Sequence, residues 1–392
     1  MRSALLLCPE APYPMTGGGS IRTASLAQYL GERYALDIIA FREPDAPDPR
    51  SAVPAGIARD VHVFPLPRHG RGRLARITRN TRRLLHGRPP LNDRFGGFGP
   101  ALATWLDGRR YDIAIVEHFW CAPYAEQMAG HAARLVLDLH NIESVLYAGS
   151  ASAEPLPLSI AMRRFAAACT RLERLWLPRF DLLLVTSEAD AERVRRLAPG
   201  VDVAVYPNAL PFRAEPTCSE EDVIAFSGNM EYHPNSAAVR YFSREMWPAL
   251  QREHPGIVWR LIGKNDCAIA PYTKGDPNIQ VSGAVDDAVA ALAAARVAIV
   301  PLLAGSGTRL KILEAWAAGR AVVSTSVGAE GLGARDGEHL IIADTPASFA
   351  SAVGRLLASA EDRRRIGRAG RRFYEERFTW ERAWSELSAV GL

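Results

Sequence analysis

Short apolar runs recur along the chain, each followed by a longer stretch whose apolar residues keep helical spacing. In the first half they are ALLL (4–7), ALDIIAF (35–41), IAIVEH (113–118), LVLDLH (135–140), LLLVTS (182–187) and VAVYPN (203–208). The second half repeats the series with VIAFSG (223–228), VWRLIG (258–263), IQVSG (279–283), VAIVPL (297–302), AVVST (321–325) and LIIAD (340–344). Such alternation predicts parallel strands with helical crossovers, an α/β class. Between the two series, LPFRAEPTCSEED (210–222) holds Pro211, Pro216 and four acidic residues and reads as a linker. The expected architecture is two Rossmann-like domains, 1–209 and 223–375, facing across a cleft at the carboxyl ends of their strands. A C-terminal helix over 376–392 is expected to return toward the first domain, with Phe373, Trp380 and Trp384 available to pack at the junction.

Composition narrows the class without naming a partner. A chain of 392 residues is too long for one ordinary core. A hydrophobic fraction of 48% beside 23% charged residues describes a globular chain and excludes disordered and low-complexity classes. The net charge of +4 is small for this length. The N-terminal apolar run ends at Pro9, shorter than a signal-peptide core, and no run approaches the roughly 20 residues of a membrane span; the expected location is the cytoplasm. The five cysteines are scattered with no CxxC pair, so neither a disulfide framework nor a zinc site is indicated.

The stretch GSGTRLKILEAWAAGRAVVST (305–325) carries the most chemistry. Gly305 and Gly307 bracket Ser306 in a turn whose backbone N–H groups can approach an anion, at the start of a helix expected to be capped by Thr308 and to run to about Ala318. Arg309 and Lys311 fall in its first turn, where cations oppose the helix dipole unless an anion lies nearby. Glu314 lies on a neighbouring face, suited to accept hydrogen bonds from vicinal hydroxyls such as those of a ribose. In the first half, TGGGS follows strand one directly, and Gly17, Gly18 and Gly19 allow the chain to approach a phosphate there too. That spacing does not meet the G-x-G-x-x-G dinucleotide pattern. Asp286 and Asp287 read as the start of the helix DDAVAALAAA, not as a metal pair.

The same residues carry a resemblance. GSGTRLKILEAWAAGRAVVSTSVGAEGL resembles the nucleotide-sugar site of retaining glycosyltransferases of the GT-B architecture, the group 1 family, in particular its branch with a GxGTRLKxLEAxAxGxPVV signature. Further similarities follow in order: TGGGSIR (16–22), LHNIES (139–144), VTSEAD (185–190), YPNAL (206–210), FSGNMEYHPN (226–235), LIGKN (261–265) and VGAEGL. The resemblance implies that Glu314 clamps the nucleotide ribose, that the turn before it holds the diphosphate, and that His140 contacts the donor sugar, with Asn141 and Glu143 beside it. Glu117 and His118, closing IAIVEH, are expected at the rim on the acceptor side.

Two departures accompany it. Many members place a second glutamate eight residues before the ribose glutamate; here that position is Ser306, and Glu330 is the expected substitute toward the donor sugar. Many also carry an arginine and a lysine after the first strand of the second domain, where this chain has Gly228, Asn229, His233, Pro234 and Asn235. Arg309 and Lys311 are the expected substitutes for leaving-group stabilisation.

The resemblance implies transfer of a sugar from a nucleotide-diphosphate donor to a glycan or polyprenyl-linked acceptor, with no cofactor and no metal. It leaves the donor base and sugar, the acceptor and the linkage open. Rival readings are a nucleotide-sugar epimerase and a nucleotide-sugar-binding subunit without turnover. One further feature stands apart: residues 68–94 hold nine arginines and one acid, with apolar residues near helical spacing. A basic amphipathic helix suits an anionic membrane surface as well as plain solvent. The absence of interleaved aromatics argues against nucleic acid.

Overall fold

The computed structural model describes residues 2–68, 70 and 72–392. His69 and Arg71, within the basic stretch, lie outside the described residues. The chain divides into two compact units, Met1–Pro207 with Trp384–Leu392, and Asn208–Ala383.

The first unit is built on a seven-stranded parallel sheet: β1 (Ser3–Cys8), β2 (Ala35–Arg42), β3 (Asp60–Pro65), β4 (Ile113–Glu117), β5 (Leu135–Asp138), β6 (Leu182–Val185) and β7 (Asp202–Val205). Their order is β3-β2-β1-β4-β5-β6-β7, so the direction of winding reverses between β1 and β4. In open sheets of this kind, ligand sites form at the carboxyl ends of the strands flanking that reversal. The helices that matter for the site are α1 (Gly18–Gly31), α2 (Arg73–His86), α3 (Glu143–Ser152) and α4 (Leu158–Trp176). The C-terminal Trp384–Leu392 packs with this unit: Trp384 Nε1 donates to Ser25 Oγ at 3.0 Å, and Tyr29 OH donates to the Leu392 carbonyl at 2.7 Å.

The second unit repeats the design with six parallel strands: β8 (Glu221–Ser227), β9 (Val258–Ile262), β10 (Ile279–Gly283), β11 (Ala295–Val300), β12 (Ala321–Ser324) and β13 (Ile341–Ile342). Their order β10-β9-β8-β11-β12-β13 places the reversal between β8 and β11. Its helices include α5 (His233–Glu245), α6 (Ala288–Ala293) and α7 (Leu310–Ala317). Asp287 caps α6, accepting from Ala290 N at 2.9 Å, and also pairs with Arg213. The segment 210–220 has little regular structure and is fixed by its ends: Leu210 bridges to Thr379, and Glu220 binds Arg363 at 2.7 Å.

All twelve apolar runs form strands. The additional one is β3, an edge strand of alternating residues (DVHVFP) whose polar positions hide it from an apolar-run reading.

Where β8 and β9 end, Gly228 (φ 147°) and Gly263 (φ 148°) turn against each other so closely that a Cβ on Gly263 would run into the Gly228 carbonyl. Only glycine fits both the positive φ and the approach. Gly263→Ala is therefore expected to destabilise the protein by about 2–4 kcal/mol; a denaturant midpoint equal to wild type would contradict this account.

Candidate functional site

Parallel register sets Glu117 beside Asp138 at the carboxyl ends of β4 and β5. Both carboxylates are fully buried, an arrangement that is untenable without cations. Arg22, from the second turn of α1, clamps Asp138 bidentately (2.8 and 2.6 Å) and donates its remaining nitrogen to the Tyr206 carbonyl at 2.7 Å. His140 Nε2 donates to Glu117 Oε2 at 2.7 Å and lies 3.5 Å from Asp138. Thr23 Oγ1 donates a second hydrogen bond to the same Glu117 oxygen at 2.7 Å. Burial alone would depress the imidazole pKa, but Glu117 and Asp138 outweigh it and push His140 up to about 9. Burial likewise opposes the Asp138 charge, and the Arg22 guanidinium overcomes it, holding this carboxyl below its usual range. His140 is thus a cation at neutral pH.

A column of rings steadies it. His118, held at φ 62°, packs against His140 with centroids 3.6 Å apart and planes tilted by 35°; Trp120 stacks on His118 at 4.1 Å, and Phe95 on Trp120 at 5.7 Å. Trp120 Nε1 donates to Glu143 Oε1 at 3.0 Å. Burial is the main reason Glu143 rises to about 7, and neighbouring Glu173 raises it further. Burial, with His140⁺ and Arg22 adding to it, drives the His118 pKa well below its ordinary value, so that ring is neutral. Gly17 precedes α1 in extended conformation, with Gly18 as its first residue. A Cβ at Gly19 would sit 3.7 Å from His118 Nε2, so glycine keeps the space before that nitrogen open.

Among the described residues, Glu117, His118 and His140 are the one grouping whose ligand atoms come close enough, within 4.8 Å, to hold a metal ion. Here His140 Nε2 is engaged by Glu117 as a hydrogen-bonded ion pair.

The second unit presents a different arrangement at its own reversal. Lys311 Nζ donates to Asn235 Oδ1 at 2.6 Å and lies 4.2 Å from the centre of the Phe226 ring. Burial lowers it to about 7, with Arg309 adding to that fall and Glu314 opposing it. One turn on, Glu314 Oε2 accepts from Ser227 Oγ at 2.8 Å, and burial raises its pKa. Asn235 Nδ2 donates to the Asn229 carbonyl at 2.8 Å, and Asn229 Oδ1 accepts from Asn265 Nδ2 at 2.9 Å. Gly228 is required here as well, because a Cβ would lie 3.0 Å from Lys311 Nζ. Lys311, Glu314, Gly228 and Asn229 are therefore brought together as the sequence suggests.

Three expectations are corrected. Thr308 does not cap α7; Arg309 occupies the cap position in extended conformation and the helix begins at Leu310, so Lys311 alone of the two cations is in the first turn. Arg309 is folded back into its own turn, donating Nη1 to the carbonyls of Ser306 and Gly307 and Nη2 to that of Val327. The positive φ values of Gly305 (157°) and Gly307 (76°) make room for this guanidinium. The Thr308 carbonyl in turn accepts from Asn208 Nδ2 at 2.8 Å. His140 stands two residues beyond the end of β5, not on the strand. Glu330 follows the short helix Ser326–Ala329, which Thr325 caps.

The residues missed from sequence are Arg22, Asp138, Trp120, Ser227 and Phe226. Arg22 and Asp138 were inside quoted motifs, but only the fold shows that they meet.

Residues 17–209 match the glycosyl transferase 4-like domain and residues 221–359 the glycosyl transferases group 1 domain. The chain belongs to the group 1 glycosyltransferases. A 44.6 kDa protein of the cps region of Klebsiella pneumoniae is 25% identical over 217 residues; the match covers 53% of this chain and spans 55%, about half, of that curated relative's length. Among solved structures, sucrose-phosphate synthase from Thermosynechococcus elongatus superposes with a TM-score of 0.75 at 17% identity, covering 99% of this chain and 98% of its own. HepE of Anabaena, in complex with UDP and glucose, gives 0.69 at 14% identity over 99% of both chains. TarM of S. aureus, in complex with UDP and α-GlcNAc-glycerol, gives 0.71 at 10% identity over 100% and 99%. At these identities the likeness is one of fold.

A histidine raised from 6.5 to about 9 on folding stabilises the native state fully below pH 6.5, and that contribution disappears as pH rises through 9. His140→Asn is expected to flatten this loss, of order 3 kcal/mol in wild type; parallel stability–pH curves for the two proteins would refute the assignment.

Proposed function

We propose that the protein is a retaining, metal-independent glycosyltransferase that moves a hexosyl group from a nucleoside-diphosphate sugar to a lipid-linked or cell-surface glycan acceptor in the cytoplasm. The observation that carries this reading is the pairing of Lys311 with Asn235 and of Glu314 with Ser227, one helical turn apart, at the winding reversal of the second unit. Among the described residues Lys311 has no salt-bridging carboxylate; its amino group meets an amide oxygen and a ring face, which suits it to a diphosphate. Glu314 accepts hydrogen bonds from the ribose hydroxyls. The UDP complexes of HepE and TarM support uridine diphosphate as the first ligand to try.

In the reaction the acceptor hydroxyl oxygen attacks the anomeric carbon on the face from which the diphosphate departs. The anomeric C–O bond breaks, and the leaving phosphate oxygen takes the acceptor proton. Charge growing on the diphosphate is met by Lys311 and by the N–H groups at the start of α7, preorganised donors that need not reorient as the bond breaks. Arg309 acts through the shape of the 305–308 turn, a positioning role in place of direct contact. The His140 imidazolium, with its charge set by Glu117 and Asp138, serves as donor to a sugar hydroxyl. A second reading, a sugar-nucleotide-binding subunit without turnover, is favoured by Ser306 at the position expected to hold a sugar-facing glutamate.

Ligand that binds only the native state raises apparent stability. UDP is expected to raise the thermal midpoint of wild type and to leave Glu314→Ala and Lys311→Met unmoved, with GDP, CDP and ADP as comparators. The ammonium form is present below about pH 7 in the free protein, so diphosphate affinity falls as pH rises above it, by up to about tenfold per unit until the bound-state pKa is reached. Lys311→Arg removes that slope. A response to none of the four nucleotides would end the donor-site reading; binding with neither hydrolysis nor transfer of any donor would select the subunit.

A further inference from the structure

Among the described residues, twelve large hydrophobic side chains are exposed, and seven of them lie on or beside two neighbouring helices of the first unit. On α2 they are Leu74 (81% exposed), Ile77 and Leu85 (77%); at α4 they are Leu156, just before it, and Leu158, Ile160 and Leu175. Neither helix has an acidic residue on its surface: α2 contains none, and the one acid of α4, Glu173, is buried and accepts from Ser144 N.

The free cations are not confined to the basic stretch, where Arg82 and Arg88 are exposed without an ion pair among the described residues. Within the basic stretch 68–94, Arg68 pairs with Asp45, Arg83 with Asp93 and Arg94 with Glu43. The exposed face of α4 adds Arg163, Arg164, Arg171 and Arg174 at helical spacing, none with an ion pair among the described residues. Between the helices lies an open groove of about 720 Å³. Leu84, Leu85 and His86 line it from α2, and Arg164, Ala167 and Arg171 from α4. Its two arginines and its aliphatic wall give an anionic headgroup and an acyl boundary separate places.

We propose that α2 and α4 form a docking surface for an anionic phospholipid bilayer, the groove between them receiving a lipid phosphate. Unpaired arginines supply the attraction to phosphate, and exposed leucine and isoleucine side chains enter the region between headgroups. Single-stranded nucleic acid is disfavoured because its bases stack on aromatic faces, and the seven exposed side chains are all aliphatic. The surface lies wholly in the first unit, and its test needs no nucleotide, so its failure and the failure of the donor-site reading are separate events.

The experiment is vesicle flotation with the full chain, comparing phosphatidylcholine alone with phosphatidylcholine containing phosphatidylglycerol, at low and high salt. Wild type is expected to float only with the anionic vesicles and to be released by salt. Arginine near such a surface is worth about fivefold in partition, so Arg164→Glu with Arg171→Glu is expected to lose at least about 25-fold. Leu74→Ser with Leu85→Ser weakens binding at constant charge, and Arg252→Glu, an exposed position in the second unit, changes nothing. Circular dichroism of each variant matching wild type ensures that loss of flotation reads the surface. Equal flotation with neutral vesicles, double variants that float like wild type, or RNA held by the same arginines in preference to vesicles would overturn the proposal.

Discussion

The first unit depends on the register that sets Glu117 next to Asp138. Parallel pairing of β4 with β5 leaves no choice about where these side chains emerge, and both are sealed from water. Two adjacent carboxylates in a low-dielectric interior cost several kcal/mol each unless their charge is met at hydrogen-bond distance. Arg22 and His140 meet it, and each brings its own segment. Arg22 pins α1, and hence the glycine turn before it, to β5 and to the Tyr206 carbonyl. His140 pins the loop after β5 to β4. Two positive and two negative groups thus close a local balance, and the geometry of the whole strand-end region follows from it.

The ring column is a second consequence of the same charges. A protonated His140 favours a neutral, polarisable neighbour over another cation, and His118, packed at 3.6 Å, is driven to the neutral state by burial and by that charge. Trp120 and Glu143 then fix His118 from the other side. The strained φ at His118 is tolerated because ring contacts on both faces, Trp120 stacked and His140 tilted, leave the ring one place to be. Orientation of His140 is therefore set from three directions, by two carboxylates and one packed ring.

How much of this was legible in the chain follows from what each signal measures. Buried parallel strands are continuous apolar runs, so β1, β4, β6 and β11 announce themselves; β3 packs at an edge, alternates, and does not. The glycine turn and Lys311 and Glu314 were readable because their spacing is local. Arg309 was misplaced for a physical reason: a side chain that donates to the carbonyls of its own turn draws the backbone into extended conformation and delays the helix by one residue. Asn235 reads from sequence as a departure from an expected basic pair, and only its approach to Lys311 makes it a partner. Arg22 and Asp138 are 116 residues apart; no local pattern joins them, and register alone does.

The two charge clusters differ in a way that bears on what each can bind. In the first unit the cations are matched by carboxylates, so the charge of the cluster is balanced without a ligand. In the second, Lys311 has an amide oxygen and an aromatic face where an acid would otherwise hold it, and burial depresses it to about 7. Glu314 supports it through space without a salt bridge among the described residues, its Oε2 accepting from Ser227 while burial raises its pKa. A half-buried ammonium left short of charge is destabilised and would be relieved by an incoming anion. The deficit that costs the second unit stability is thus the same quantity that would appear as affinity for a diphosphate, whereas the balance in the first unit leaves none to spend on an ion.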